Sequence, residues 1–200
     1  IFYDWANSIW STNIDAAIWP IYFAVVVERL ANAGQINNIY GYAVSAANFI
    51  VAIMAPFLGG IGDFKGMKKK LWKIFMLIGV AFTLVMAVFN QWQLMLIGFV
   101  VSRIGFSGSI LFYDSFLTDI TTPDRMEKVS SWGYAMGYIG GSTIPFIISI
   151  VIMLVMGMSD LSYRIAILIV PVWWLIFSIP FMKNVEQKHC VETPPSQLGK

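Results

Sequence analysis

The sequence predicts an all-α transmembrane protein, a bundle of six membrane-spanning helices. Three observations predict it. Of the 200 residues, 58% are hydrophobic and only 12% are charged, against about 25% charged residues in soluble domains. The charges gather in a few short clusters. Between the clusters lie apolar runs of about 20 residues, the length a helix needs to cross a hydrocarbon core of ~30 Å. The runs are too long for strands and do not alternate in polarity.

The first span is expected over residues 3–27, before a polar loop with Glu28, Arg29 and the stretch GQINN (34–38). The second covers about 39–58, and the turn GGIGDFKGMKKK (59–70) follows it. The third covers about 71–89 and closes on Asn90-Gln91-Trp92-Gln93. The fourth, about 94–117, leads into the charged loop TDITTPDRMEK (118–128). The fifth covers about 129–156, and GMSDLSY (157–163) joins it to the sixth, about 164–181. Residues 1–182 thus read as one six-span domain, and the polar, proline-containing tail 183–200 reads as the start of a flexible linker. The chain begins at Ile1 with no cleavable signal sequence before the apolar part, and is expected to be a piece of a longer protein.

Basic residues set the expected orientation. Lys65, Lys68, Lys69, Lys70, Lys73, Arg125, Lys128, Lys183, Lys188 and Lys200 fall on one side of a six-span arrangement, and Arg29 and Arg164 on the other. The first side is expected to be cytoplasmic, with the N-terminus, in a cell membrane. Trp19, Trp72, Trp92, Trp132, Trp173 and Trp174 lie near span ends and read as anchors at the membrane interface.

Several function classes find no support. A net charge of +2 does not argue for nucleic acid. One cysteine, Cys190, excludes an internal disulfide and a cysteine metal cluster. The one histidine, His189, lies in the tail, and no nucleophile–base set or phosphate-binding loop occurs. No catalytic residue, metal ligand or resident cofactor is expected.

Polar residues within the spans carry the functional reading, because an ionisable group at mid-membrane costs at least ~2.5 kcal/mol and faces a cavity or a partner. Asp4, Asn7, Ser8, Ser11, Thr12 and Asp15 recur at helical spacing in the first span, and Arg103, Ser107, Asp114 and Thr118 do so in the fourth. Asp4 and Asp15 are eleven residues apart, as are Arg103 and Asp114, a rise of about 16 Å. The two spans run in opposite directions. Asp4 and Asp114 are therefore expected at the cytoplasmic boundary, and Asp15 and Arg103 near the midplane, paired across a polar cavity either as a transport site or as a structural ion pair. Asn48 and Ser45 of the second span, and Tyr134 and Tyr138 of the fifth, join the cavity-lining set. Gly133, Gly137 and Gly141, spaced by four, form a small-residue face for close helix packing. The repeated Phe-Tyr-Asp at 2–4 and 112–114 falls at opposite ends of its two helices and marks no internal repeat.

The turn after the second span carries a resemblance. Gly59-x-x-x-Asp63-x-x-Gly66, followed by Lys68, Lys69 and Lys70, resembles the signature between the second and third helices of major facilitator transporters. Phe64 stands where arginine is usual. YDWANS near the start, Pro-Ile-Tyr-Phe at 20–23 and VSSWGYAMGYIGG at 129–141 resemble the Atg22-like branch of that superfamily. The resemblance implies a twelve-helix transporter, of which this would be the N-terminal six-helix half, with the C-terminal half as its partner. It places the first and fourth helices around the central cavity, where Asp15, Arg103, Asn48, Ser11 and Ser107 would meet a small solute. Asp4, Asp114, Gly59, Asp63, Gly66 and Lys68–Lys70 would form the cytoplasmic gate. Many relatives carry an arginine in the fourth helix that is linked with proton coupling. Arg103 fits its position, while Gly105 and Gly108 depart from the usual glycine spacing. Fungal members are associated with amino-acid efflux from the vacuole. A different class stays open beside a transporter: a membrane interaction or assembly subunit without flux of its own, or a half-size transporter acting as a dimer.

Overall fold

The computed structural model describes residues 2–30 and 36–192. Residues 31–35 of the first polar loop and 193–200 of the expected linker lie outside the described residues. The chain folds as α1 (Phe2–Ile9), a π-helical turn (Trp10–Ala16), α2 (Ile18–Leu30), α3 (Ile36–Gly62), α4 (Met67–Val88), α5 (Trp92–Ser115), α6 (Leu117–Ile120), a 3₁₀ turn (Pro123–Arg125), α7 (Met126–Met136), a second π-helical turn (Gly137–Thr143), α8 (Ile144–Val155) and α9 (Asp160–Asn184). Among the described residues, five helical stretches are long and apolar enough to cross a membrane: Asn38–Gly62, Met67–Val88, Trp92–Ile120, Pro123–Val155 and Asp160–Asn184. The protein is an all-α, multi-pass integral membrane protein.

Phe2–Leu30 is helical but not continuous, and the sequence explains the break. A proline ring clashes with the carbonyl four residues before it and removes a backbone donor. For Pro20 that carbonyl belongs to Ala16, the last residue of the first π turn, and Ala17 leaves helical geometry at φ −126°, ψ −74°. Ser8 and Thr12 add to the bend by donating their hydroxyls to the carbonyls of Asp4 and Ser8, a pattern that loosens helices. Pro145 stands in the same relation to Gly141, inside the second π turn.

Packing is led by aromatic and small residues. Trp10, Trp19, Trp72 and Trp174 are fully buried, so Trp19, Trp72 and Trp174 are core residues rather than interface anchors. Trp132 is exposed. Trp10 stacks on Phe106 at 4.2 Å and donates to Ser102 Oγ at 2.8 Å. α4 and α5 pack against each other most closely. A Cβ on Gly105 would meet the backbone of Gly79, one on Gly79 the ring of Trp174, and one on Gly108 the ring of Phe75. Without a hydrophobic force between helices in lipid, such close approach is what holds them together. α4 also packs on α9, α9 on the first helix and on α8, and the first helix on α7 and the second π turn. α3 lies at the edge against α5 and keeps Tyr42, Phe49, Ile53 and Phe57 exposed.

Candidate functional site

Asp15, Arg103 and Asn48 stand near the middle of three different spans, and the fold brings them together. The guanidinium of Arg103 forms an ion pair with Asp15 through Nη1, and its Nε donates to Asn48 Oδ1 at 3.1 Å. The Arg103 side chain is 15% exposed and that of Asp15 is 37% exposed, so the pair borders open space rather than sealed core. A guanidinium is a planar fork of five donors. Two of its nitrogens, Nη1 and Nε, are used here, and the group lies over the ring of Phe99. Neither Ser11, which is exposed, nor Ser107, which is half-buried, bonds to the pair.

Asp4 and Asp114 meet at the end of the bundle that carries the 63–66 turn. They line a cavity of about 200 Å³ with Tyr113, Leu117, Ile120, Val129, Ser130 and Tyr134. Asp4 is buried and accepts the hydroxyl of Tyr113. The two Phe-Tyr-Asp copies thus converge, with the rings of Tyr3 and Tyr113 4.7 Å apart. The glycine face of the fifth span packs here. A Cβ on Gly133 would lie 2.5 Å from Asp4 Oδ2, one on Gly137 2.9 Å from Ser8 Oγ, and one on Gly141 2.5 Å from the Trp5 carbonyl. Gly140, beside them, lies against the indole of Trp5. The glycines let the fifth span lie directly on the first helix.

The basic turn is built differently from its motif. Gly66 takes φ +74°, the left-handed conformation that favours glycine. Gly62 faces the ring of Phe112, where a Cβ would lie 2.8 Å away, whereas Gly59 faces open space. Asp63 is exposed, and its carboxylate joins no ion pair among the described residues. Lys70 is exposed and Lys69 half-buried. Lys68 is buried. Its ammonium reaches Asp119 Oδ2 at 2.8 Å and the Ser115 carbonyl at 3.1 Å, over the ring of Phe116. The ionic contact of the turn therefore runs from Lys68 to the end of the fourth span, with Asp63 outside it.

Asp119 escapes sequence reasoning because its partners are remote in the chain and it sits in a loop rich in charge. Asn13 escapes it too. It lies off the polar stripe, on a π turn, fully buried, and donates to Ser149 Oγ at 2.9 Å. A signal exists for it in Pro20, which dictates irregular backbone one turn upstream. Among the described residues no group of three His, Cys, Asp or Glu side chains is placed to hold a metal ion.

A family model described as "Vacuole effluxer Atg22 like" matches residues 23–198. "Uncharacterized MFS-type transporter YxiO" of Bacillus subtilis is 38% identical over 204 residues, covering 98% of this chain and 47% of that protein. "Autophagy-related protein 22" of Yarrowia lipolytica is 46% identical over 55 residues, 28% of this chain and 9% of that protein. "Autophagy-related protein 22-1" of Aspergillus fumigatus is 32% identical over 66 residues, 32% of this chain and 11% of that protein. The chain spans less than half the length of these relatives. No solved structure matches it.

Proposed function

Because the chain belongs to the vacuole-effluxer Atg22-like family of major facilitator transporters, we propose that it is the N-terminal half of a secondary transporter moving a small solute by alternating access. Amino acids are the first solute class to test. The observation that carries the reading is the Arg103–Asp15 ion pair with Asn48, set at mid-span and bordering open space. A charge at that depth is costly unless it faces a partner or a wet cavity. Arg103 would bind an anionic group of the solute, Asp15 would hold Arg103 in place between cycles, and Asn48 would fix the plane of the guanidinium. A coupling proton would enter through the same acidic and basic groups.

The cavity at Asp4 and Asp114 and the Lys68–Asp119 pair lie at the end we assign to the cytoplasmic gate. The basic residues at that end support assigning it to the inner face of a cell membrane, with the N-terminus inside. The remaining length of the YxiO-like relative leaves room for a second six-helix half as partner.

The test is solute counterflow by the full-length protein in proteoliposomes across a panel of amino acids, repeated with Arg103→Ala and Asp15→Asn. Loss of flux in both variants, with unfolding temperatures near wild type, supports the site. Full flux in Arg103→Ala sinks it.

A further inference from the structure

The chain does not leave the bundle at the end of α9. Past Asn184 it turns back along the turn between α3 and α4. Gln187 Nε2 donates to the Gly62 carbonyl at 3.0 Å, and its Oε1 accepts the Lys68 amide at 3.4 Å. The amides of Lys188 and His189 donate to Asp119 Oδ1 at 3.0 and 2.8 Å, and the His189 ring nitrogen Nδ1 lies 3.1 Å from the same oxygen. The Val191 amide donates to the Asp63 carbonyl at 2.8 Å, and the Lys65 amide to the Val191 carbonyl at 3.1 Å. Phe64 and Val191 form an isolated parallel bridge. These bonds join three parts of the chain that are remote in sequence: residues 62–68, residues 115–119 and residues 187–191.

We propose that residues 185–191 are a strap that locks the α3–α4 turn to the end of the fourth span, with Asp119 as its buckle. This goes beyond the transport reading and does not depend on it. The logic lies in the two oxygens of Asp119. Oδ2 holds Lys68 of the turn, while Oδ1 holds the strap. A buried carboxylate with one cation is poorly compensated unless further donors satisfy its remaining lone pairs. The strap supplies those donors and shields the pair from water. Lifting it leaves Asp119 with Lys68 and water, and Gln187 no longer ties Gly62 to Lys68. The turn and the strap therefore stabilise each other, and tension on the chain beyond Val191 reaches the turn through peptide hydrogen bonds. Any coupling of this kind is reciprocal.

Hydrogen exchange on the full-length protein in detergent micelles tests it. In the wild type, the peptides covering 63–68 and 185–192 exchange at least about tenfold more slowly than unstructured chain. Val191→Pro removes the donor to Asp63, and Gln187→Ala removes the bridge to Gly62 and Lys68. Both lie outside the helices, so the bundle folds without them. The double variant Gln187→Ala/Val191→Pro is expected to lose protection in 185–192 and to lose it in 63–68 as well, with α4 and α5 unchanged. Asp119→Asn, which sets an amide against the Lys68 ammonium, is expected to release both peptides. If the strap variants free 185–192 while 63–68 stays protected, the strap is passive and the proposal fails. It fails equally if 185–192 is unprotected in the wild type.

Discussion

The ammonium of Lys68 lies 2.8 Å from a carboxylate oxygen of Asp119, and neither side chain is more than 7% exposed. Removing one partner of such a pair strands the other charge, at a cost of about 3–5 kcal/mol. Lys68→Met is therefore expected to lower the unfolding temperature of the full-length protein strongly. Lys70→Met, at an exposed position of the same turn, is expected to stay within about 0.5 kcal/mol of wild type. Equal melting of the two variants would show that Lys68 is not buried in the folded protein.

Arg103 bonds two residues from different spans at once, through the edges of one planar group. A lysine keeps the charge but offers a point donor on a flexible stem. Arg103→Lys is expected to cut counterflow by roughly tenfold, about 1.4 kcal/mol, with little change in melting. Unchanged flux would mean that charge alone suffices at this position.

The atoms nearest a Cβ on Gly105 are backbone, of Gly79 and Phe75, which cannot swing aside as a side chain can. Gly105→Ala is expected to cost about 1–3 kcal/mol by overpacking, read as a fall in unfolding temperature. Wild-type melting would show that α4 and α5 do not approach this closely.

Tyr113 donates to the buried Asp4 across the cavity at the gate end. Tyr113→Phe keeps the ring and removes the hydroxyl, at an expected cost of about 1–3 kcal/mol for the lost bond to a buried carboxylate. Thermal unfolding measures this directly, and a variant as stable as wild type would show that the Tyr113 hydroxyl does little to hold Asp4.

The helices were legible because the bilayer fixes their length, and an apolar run of about 20 residues has few other uses. The shared height of Asp15 and Arg103 is likewise a residue count along helices of opposite direction. What hydropathy cannot report is which side of an apolar helix faces the interior. Trp19, Trp72 and Trp174 read as anchors by their position near span ends, and they form core. The motif centres on Asp63, whose carboxylate is exposed, while the buried Asp119 lies in a charged loop with no motif around it. Its donors, Lys68 and residues 188–189, come from 51 to 70 positions away, and no local pattern encodes such a meeting.

The path of residues 185–191 has a consequence for distance. Seven residues leaving α9 freely would span up to about 23–25 Å, enough to set their end well away from the bundle. Bound beside Phe64, they run along the bundle instead of away from it. The tether to whatever lies beyond Val191 is effectively shorter than its residue count suggests. Its anchor point is the α3–α4 turn rather than the last helix.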